Sequence, residues 1–230
     1  MSRFLKLALF AASLALLVSP AAPGLAAPKT DTAKAAEIVS GAEKAVIALK
    51  GSPQGKSFHE AMAKAVGVLV VPDFYKGGLI VGGATGEGVL LTRPTQTAAW
   101  SQPAFFRLSS GSVGLQAGLK ESELVLVVRS AEALGKLMKD KVALGVEGGL
   151  AVATVGAGMG AGSTSAVDAD VVVFTLSKGA FAGVSVEGSV LSASGDLNKA
   201  YYGGAFTPAE IVNGRPAAHR DEVAALRNAL

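Results

Sequence analysis

The chain has 230 residues, half of them hydrophobic, no cysteine and a formal charge of +3. Without cysteine there can be no disulfide, thiolate metal site, cysteine nucleophile or lipobox lipid anchor. Removal of an N-terminal leader carrying Arg3 and Lys6 leaves 19 basic against 18 acidic residues, so the alkaline pI is not a nucleic-acid footprint and no nucleic-acid partner is expected.

That leader comes first in chain order. Arg3 and Lys6 precede the apolar run Leu7–Val18, which has signal-peptide length and is too short to span a bilayer. Gly24-Leu25-Ala26 supplies a small-x-small cleavage pattern, which predicts a signal peptide over 1–26 and a periplasmic or secreted mature chain. Residues 27–230 are expected to form one domain. Its parts are a helical region at about 31–65, a glycine-rich β core at about 66–204 and C-terminal helices at about 205–230.

Ala35, Ile38, Val39, Ala42, Val46 and Leu49 form one apolar stripe and predict a helix over 31–49. It reads as a docking helix. As a membrane-surface helix it would be weak, since the stripe carries no Trp or Phe. Ser57 and Glu60 have capping-box spacing and predict a short helix to about Ala65.

From Gly67 the pattern changes, and 24 of the 29 glycines lie between Gly67 and Gly204. Short apolar runs alternate with glycine clusters: Val68–Val71 (stopped by Pro72), Leu79–Val81, Val89–Leu91, Phe105–Leu108, Val113–Ala117 and Leu124–Val128. This predicts an antiparallel meander. A helix capped by Ser130 interrupts it. Strands resume at Val142–Val146, Leu150–Val155, Val167–Leu176 and Gly183–Val186, with Val190-Leu191 a further candidate. Thr207-Pro208-Ala209-Glu210 is a second capping box, and a polar helix starts near Arg220. The expected fold class is α+β: a curved antiparallel sheet or partial β-barrel with N-terminal and C-terminal helices.

Candidates for chemistry are few. Gly156–Ala161 matches G-x-G-x-x-A but lacks the following helix and the distal acid of a dinucleotide site, so it reads as a glycine-rich hairpin. Gly82–Gly88 resembles a phosphate loop only in its glycines. His59 and His219 lack metal-ligand spacing, and Asp168 with Asp170 reads as a solvated strand face or turn. No catalytic residue, metal or cofactor is expected, and the chain is read as a non-enzyme. The residues suited to a lipid headgroup interface are Phe74, Tyr75 and Lys76 in the loop 72–77, with Arg93, Trp100 and Lys178 at strand ends or turns. They suit a core edge equally.

Together these segments resemble the SYLF domain family, also described as the lipid-binding SYLF or yeast-type actin-binding domain. The resemblance rests on the order and spacing of Lys64–Val68, Val71-Pro72, Gly77-Gly78, Gly82-Gly83 and Gly86–Leu90. It continues through Trp100-Ser101 with Pro103, Gly111 with Gly114, Gln116 and Gly118, then Ser177–Val184, Glu187-Gly188, and Asn198 with Tyr201–Gly203. The resemblance implies a binding module, since relatives bind phosphoinositides and some fungal ones bind and bundle actin. This chain shows no companion module, no lipobox cysteine and no cluster of several basic residues. The expected partner is a phospholipid or anionic membrane surface, with an envelope protein as the alternative. Actin is not expected in a periplasm.

Overall fold

A computed structural model describes residues 30–78, 81–95, 98–113, 120–139, 141–145, 150–155, 169–177, 186–216 and 220–230. The leader, the Gly156–Ala161 motif, Asp168, Lys178, the glycine turn at 179–183 and His219 lie outside the described residues.

The first helix, α1 (Asp31–Lys50), begins where Thr30 Oγ1 accepts from the Ala33 amide at 3.3 Å, and it buries the expected stripe. Helix α2 (Gly55–Met62) starts two residues before the predicted capping box. Ser52 Oγ accepts from the Gln54 amide, and Gln54 Nε2 reaches the Thr175 carbonyl at 3.1 Å. This anchored turn starts the helix early and leaves Ser57 inside it, so the predicted Ser57 cap is corrected.

Eight strands form one sheet among the described residues. They are β1 (Gly67–Gly78), β2 (Val81–Thr92), β3 (Ala104–Val113), β4 (Lys120–Val128), β5 (Lys141–Ala143), β6 (Val152–Val155), β7 (Val171–Ser177) and β8 (Val190–Ala193). The order is β5-β8-β3-β2-β1-β4-β7-β6, curled into a half-barrel with helices at both ends of the chain. The predicted curved-sheet α+β class is the observed one. The connectivity departs from a meander, because β4 pairs with β1 rather than β3, and β6 pairs with β7 in parallel. Pro72 does not stop β1. It sits where the register shifts against both neighbours, a bulge at which no ladder N–H is required. The predicted loop 72–77 is therefore the outer half of a strand.

Both faces of the sheet are covered. Val68, Val70, Val89, Leu91, Val125 and Val127 point to one side, against α1, Phe58 of α2, and two helices not yet placed, α4 (Gly195–Tyr202) and α6 (Asp221–Ala229). Leu69, Val71, Leu90, Phe106, Leu124 and Leu126 point to the other. There they meet α3 (Ala131–Leu137), capped by Ser130 as expected, and α5 (Pro208–Val212), whose Thr207–Glu210 capping box is formed. Burial on both faces is why the strands read as unbroken apolar runs rather than alternating ones. Gly41, mid-helix in α1, lies where the helix meets the bulge: a Cβ there would stand 2.9 Å from the Pro72 Cβ.

Candidate functional site

Past the bulge, β1–β3 extend beyond the cover of α1 and leave a groove of about 610 Å³. Its floor comes from two rows of residues directly opposite one another across the strands. Asp73, Glu87 and Arg107 form one row; Tyr75 and Thr85 form the next, with Ser109 beyond Thr85 in register. Lys34, Glu37 and Ile38 of α1 make the wall. Glu87 is the hinge of the site. Its side chain is 13% exposed, and it takes the Lys34 ammonium at 2.5 Å and the Arg107 guanidinium at 2.7 Å. Burial pushes the Glu87 carboxyl up, but the two cations outweigh that and hold it below the ordinary carboxylate value. A second depression, of about 360 Å³, lies along β3 and β8 and is lined by Ser109, Ser110, Lys141 and Ser192 among others.

A pH dependence follows. The folded-state pKa of Glu87 lies below its unfolded value, so its contribution is complete above the ordinary carboxylate range and fades as pH falls below it. Both partners are about half exposed, which limits the contribution to about 1 kcal/mol. Glu87→Gln is expected to melt roughly 2–4 °C below the parent at pH 7. Thermal melts at falling pH should show the gap closing as pH falls through and below the ordinary carboxylate range; a constant gap would assign the effect to packing.

The predicted lipid-contact residues separate. Tyr75 lines the groove and is 50% exposed; with Ile47 on the outer surface of α1, it is one of two exposed large hydrophobic residues described. Lys76 is half-buried, and Lys120 stands directly opposite it in the β1–β4 ladder. Phe74 is only 1% exposed and packs in the core, so it is no surface contact. Arg93 and Trp100 sit at the other end of the β1–β2 ladder, about 25 Å from Tyr75 by strand rise. There the Arg93 guanidinium lies 4.5 Å from the Trp100 ring centre and donates to the Met62 and Ala65 carbonyls, tying the end of α2 to β2. Sequence reasoning missed Glu87 because it took Gly82–Gly88 for a loop, and with it the pairing that brings Lys34 and Arg107 together. The alternation Thr85, Glu87, Val89, Leu91 was the available signal for a strand with one outward face.

Other singled-out residues are structural. Asp170 Oδ1 accepts from Ser130 Oγ at 2.9 Å and Oδ2 from the Ala151 amide at 3.3 Å, joining α3, β6 and β7. His59 is exposed on α2. Among the described residues no group of three or more His, Asp or Glu could hold a metal ion. Tyr201 donates to Glu222 at 3.0 Å under the Arg220 guanidinium, and Tyr202 donates to the Pro103 carbonyl at 2.6 Å. Burial raises both phenols above their ordinary value. Ser101 brackets Thr92 with two hydrogen bonds, and its carbonyl accepts from Arg227 of α6 at 3.1 Å.

A family model described as "Ysc84: Las17-binding protein actin regulator" matches residues 109–230. Protein YSC84 of Saccharomyces cerevisiae is 30% identical over 157 residues, covering 66% of this chain and 32% of the yeast protein. LAS seventeen-binding protein 3 of the same species is 27% identical over 160 residues, 68% of this chain and 34% of its own length. SH3 domain-containing YSC84-like protein 1 of Xenopus laevis is 28% identical over 176 residues, 76% of this chain and 51% of its own length. The chain thus spans about a third to a half of these relatives. Their names give the exclusion of actin no support. With more than half its length matched, and with the curled sheet and the structural roles of Tyr201 and Tyr202 in place, this chain belongs to the Ysc84 family, the SYLF domain family.

Proposed function

We propose that this chain is a non-enzymatic lipid-binding or membrane-associating module of the periplasm or secreted space. The observation that carries the membrane reading is the outer end of β1. Tyr75, 50% exposed, is followed by Lys76, and Lys120 stands directly opposite that lysine. A basic group near an anionic surface contributes about 1 kcal/mol. A tyrosine places an apolar body and a polar tip at headgroup depth. Ser177 pairs with Ser122 at this same end, and Lys178 follows it in sequence. The leader supports export. Glu87, held ionised between two cations, suits a fixed charge rather than a proton carrier.

Co-sedimentation of the purified protein with phosphatidylglycerol-containing vesicles at low salt tests this. The parent should pellet. Lys76→Glu and Lys178→Glu should each weaken binding about fivefold or more, and Tyr75→Ser should weaken it as well. Equal pelleting of parent and all three variants would remove the surface from the account.

The names of the relatives favour a second reading, a protein-interaction component. A pull-down yielding one stoichiometric partner, or co-pelleting with filamentous actin, with no lipid in the purified sample, would put it first.

A further inference from the structure

The groove between α1 and β1–β3 carries charges of both signs in an ordered layout. Arg107, on β3, and Lys34, above it, share the single carboxylate of Glu87, so this corner keeps one net positive charge. Arg107 is 53% exposed and Lys34 49%. The opposite wall, on β1, presents the exposed carboxylate of Asp73 and the half-exposed ring of Tyr75, with exposed Glu37 one turn along α1 from Lys34. A simple anion meets Asp73 and Glu37; a simple cation meets Lys34 and Arg107. A ligand with both charges meets a complement at each end.

The spacing narrows the ligand further. β1 and β3 flank β2, so their backbones run about 10 Å apart, and side chains stand roughly perpendicular to the sheet. That is the span of a phosphate and an ammonium joined by two carbons, with a hydrogen bond at each end. On the cationic side, two donors from different elements and the Thr85 hydroxyl suit a tetrahedral phosphate better than a flat carboxylate. On the acidic side, carboxylates with a single aromatic ring suit a primary ammonium, which has N–H groups to donate. A trimethylammonium is held by a cage of several rings.

From this layout we infer that the groove binds a phosphoethanolamine group, with phosphate on Lys34 and Arg107 and ammonium between Asp73 and Tyr75. The lipid form of this ligand rests on the membrane reading above; the groove chemistry does not. Lys34, Asp73, Tyr75, Glu87 and Arg107 all precede residue 109, where the family match begins.

Titration calorimetry of the purified protein with glycerophosphoethanolamine, glycerophosphocholine and glycerophosphoglycerol tests the groove. Vesicles of equal phosphatidylglycerol content, completed with phosphatidylethanolamine or phosphatidylcholine, test the source. The ethanolamine compound should bind about tenfold tighter than the other two. Arg107→Ala should weaken the binding of the ethanolamine compound about tenfold by removing a phosphate donor. The exposed, isosteric Asp73→Asn should remove the preference while the circular dichroism spectrum of the folded protein is kept, and Lys76→Glu should leave it intact. A matching preference in vesicles makes the ligand a lipid. If the soluble compound binds and no vesicle does, the groove holds a free phosphoethanolamine compound and the membrane reading falls. If vesicles bind equally with either lipid and the three soluble compounds are equivalent, the groove proposal is overturned and the membrane reading stands. If nothing binds, both fall.

Discussion

Gly88→Ala is expected to destabilise the protein by about 3 kcal/mol and to lower its melting temperature by roughly 10 °C. A Cβ on Gly88 would lie 2.3 Å from the Val70 carbonyl oxygen and 2.8 Å from a Val71 methyl. The first of these atoms is central-strand backbone and cannot step aside. The cause is the bulge at Pro72, where β1 shifts its register against β2. Gly86 meets the same crowding, with the Asp73 oxygen 2.6 Å from its would-be Cβ. Gly111, an exposed glycine of β3 with nothing within 4 Å of the added atom, is the control, and Gly111→Ala should fall within about 0.5 kcal/mol of the parent. Paired thermal melts decide it. If the two variants melt together, the close approach of β1 to β2 is not what requires glycine at 88.

Asn198→Ala should cost about 3 kcal/mol. Asn198 is 1% exposed and completes the edge of β3: its Oδ1 accepts from the Phe105 amide at 2.8 Å, and its Nδ2 donates to the Phe105 carbonyl at 3.1 Å. The carbonyl keeps a second donor, the Ser194 amide, so truncation strands one buried N–H rather than two groups. Asn198→Asp separates this account from lost packing. Ionised, the aspartate satisfies the amide but turns an oxygen toward the carbonyl, so it should be at least as damaging as alanine at pH 7 and recover toward pH 4, where a protonated carboxyl can donate. Denaturant melts at both pH values test it. An aspartate variant insensitive to pH would show that the Phe105 carbonyl does not need the amide donor.

Signals confined to a few neighbours were readable in the amino-acid order. The α1 stripe, the Ser130 cap and the Thr207–Glu210 box each need only residues within a turn or two, and all three formed. Features that depend on distant partners were not. Helix α4 opens on Gly195, carries two adjacent tyrosines and is fixed by Asn198 reaching back to Phe105, so nothing local announced it. Pro72 was read as a stop because a proline cannot join a ladder; that it marks a bulge depends on β2 and β4. The groove is harder still. Its charges come from α1, β1, β2 and β3, and the carboxylate that organises them sits between two glycines that looked like a loop. Of the residues in the expected loop, Tyr75 lines the groove and Lys76 lies near the sheet end, whereas Phe74, their neighbour, turns into the core because strand residues alternate faces.

The meeting of α1 with the late helices sets a clock on folding. Thr32 bonds to the Ala200 carbonyl and Lys50 to the Ala229 carbonyl, pairs separated by 168 and 179 residues of chain. At a synthesis rate of about 5–20 residues per second, α1 exists for roughly 10–40 s before its late helical partners are made. During that interval the cover over this face of the sheet stays incomplete, however well α1 has docked on the hairpin of β1 and β2. The nascent chain therefore stays partly open and available to chaperones until synthesis is nearly finished.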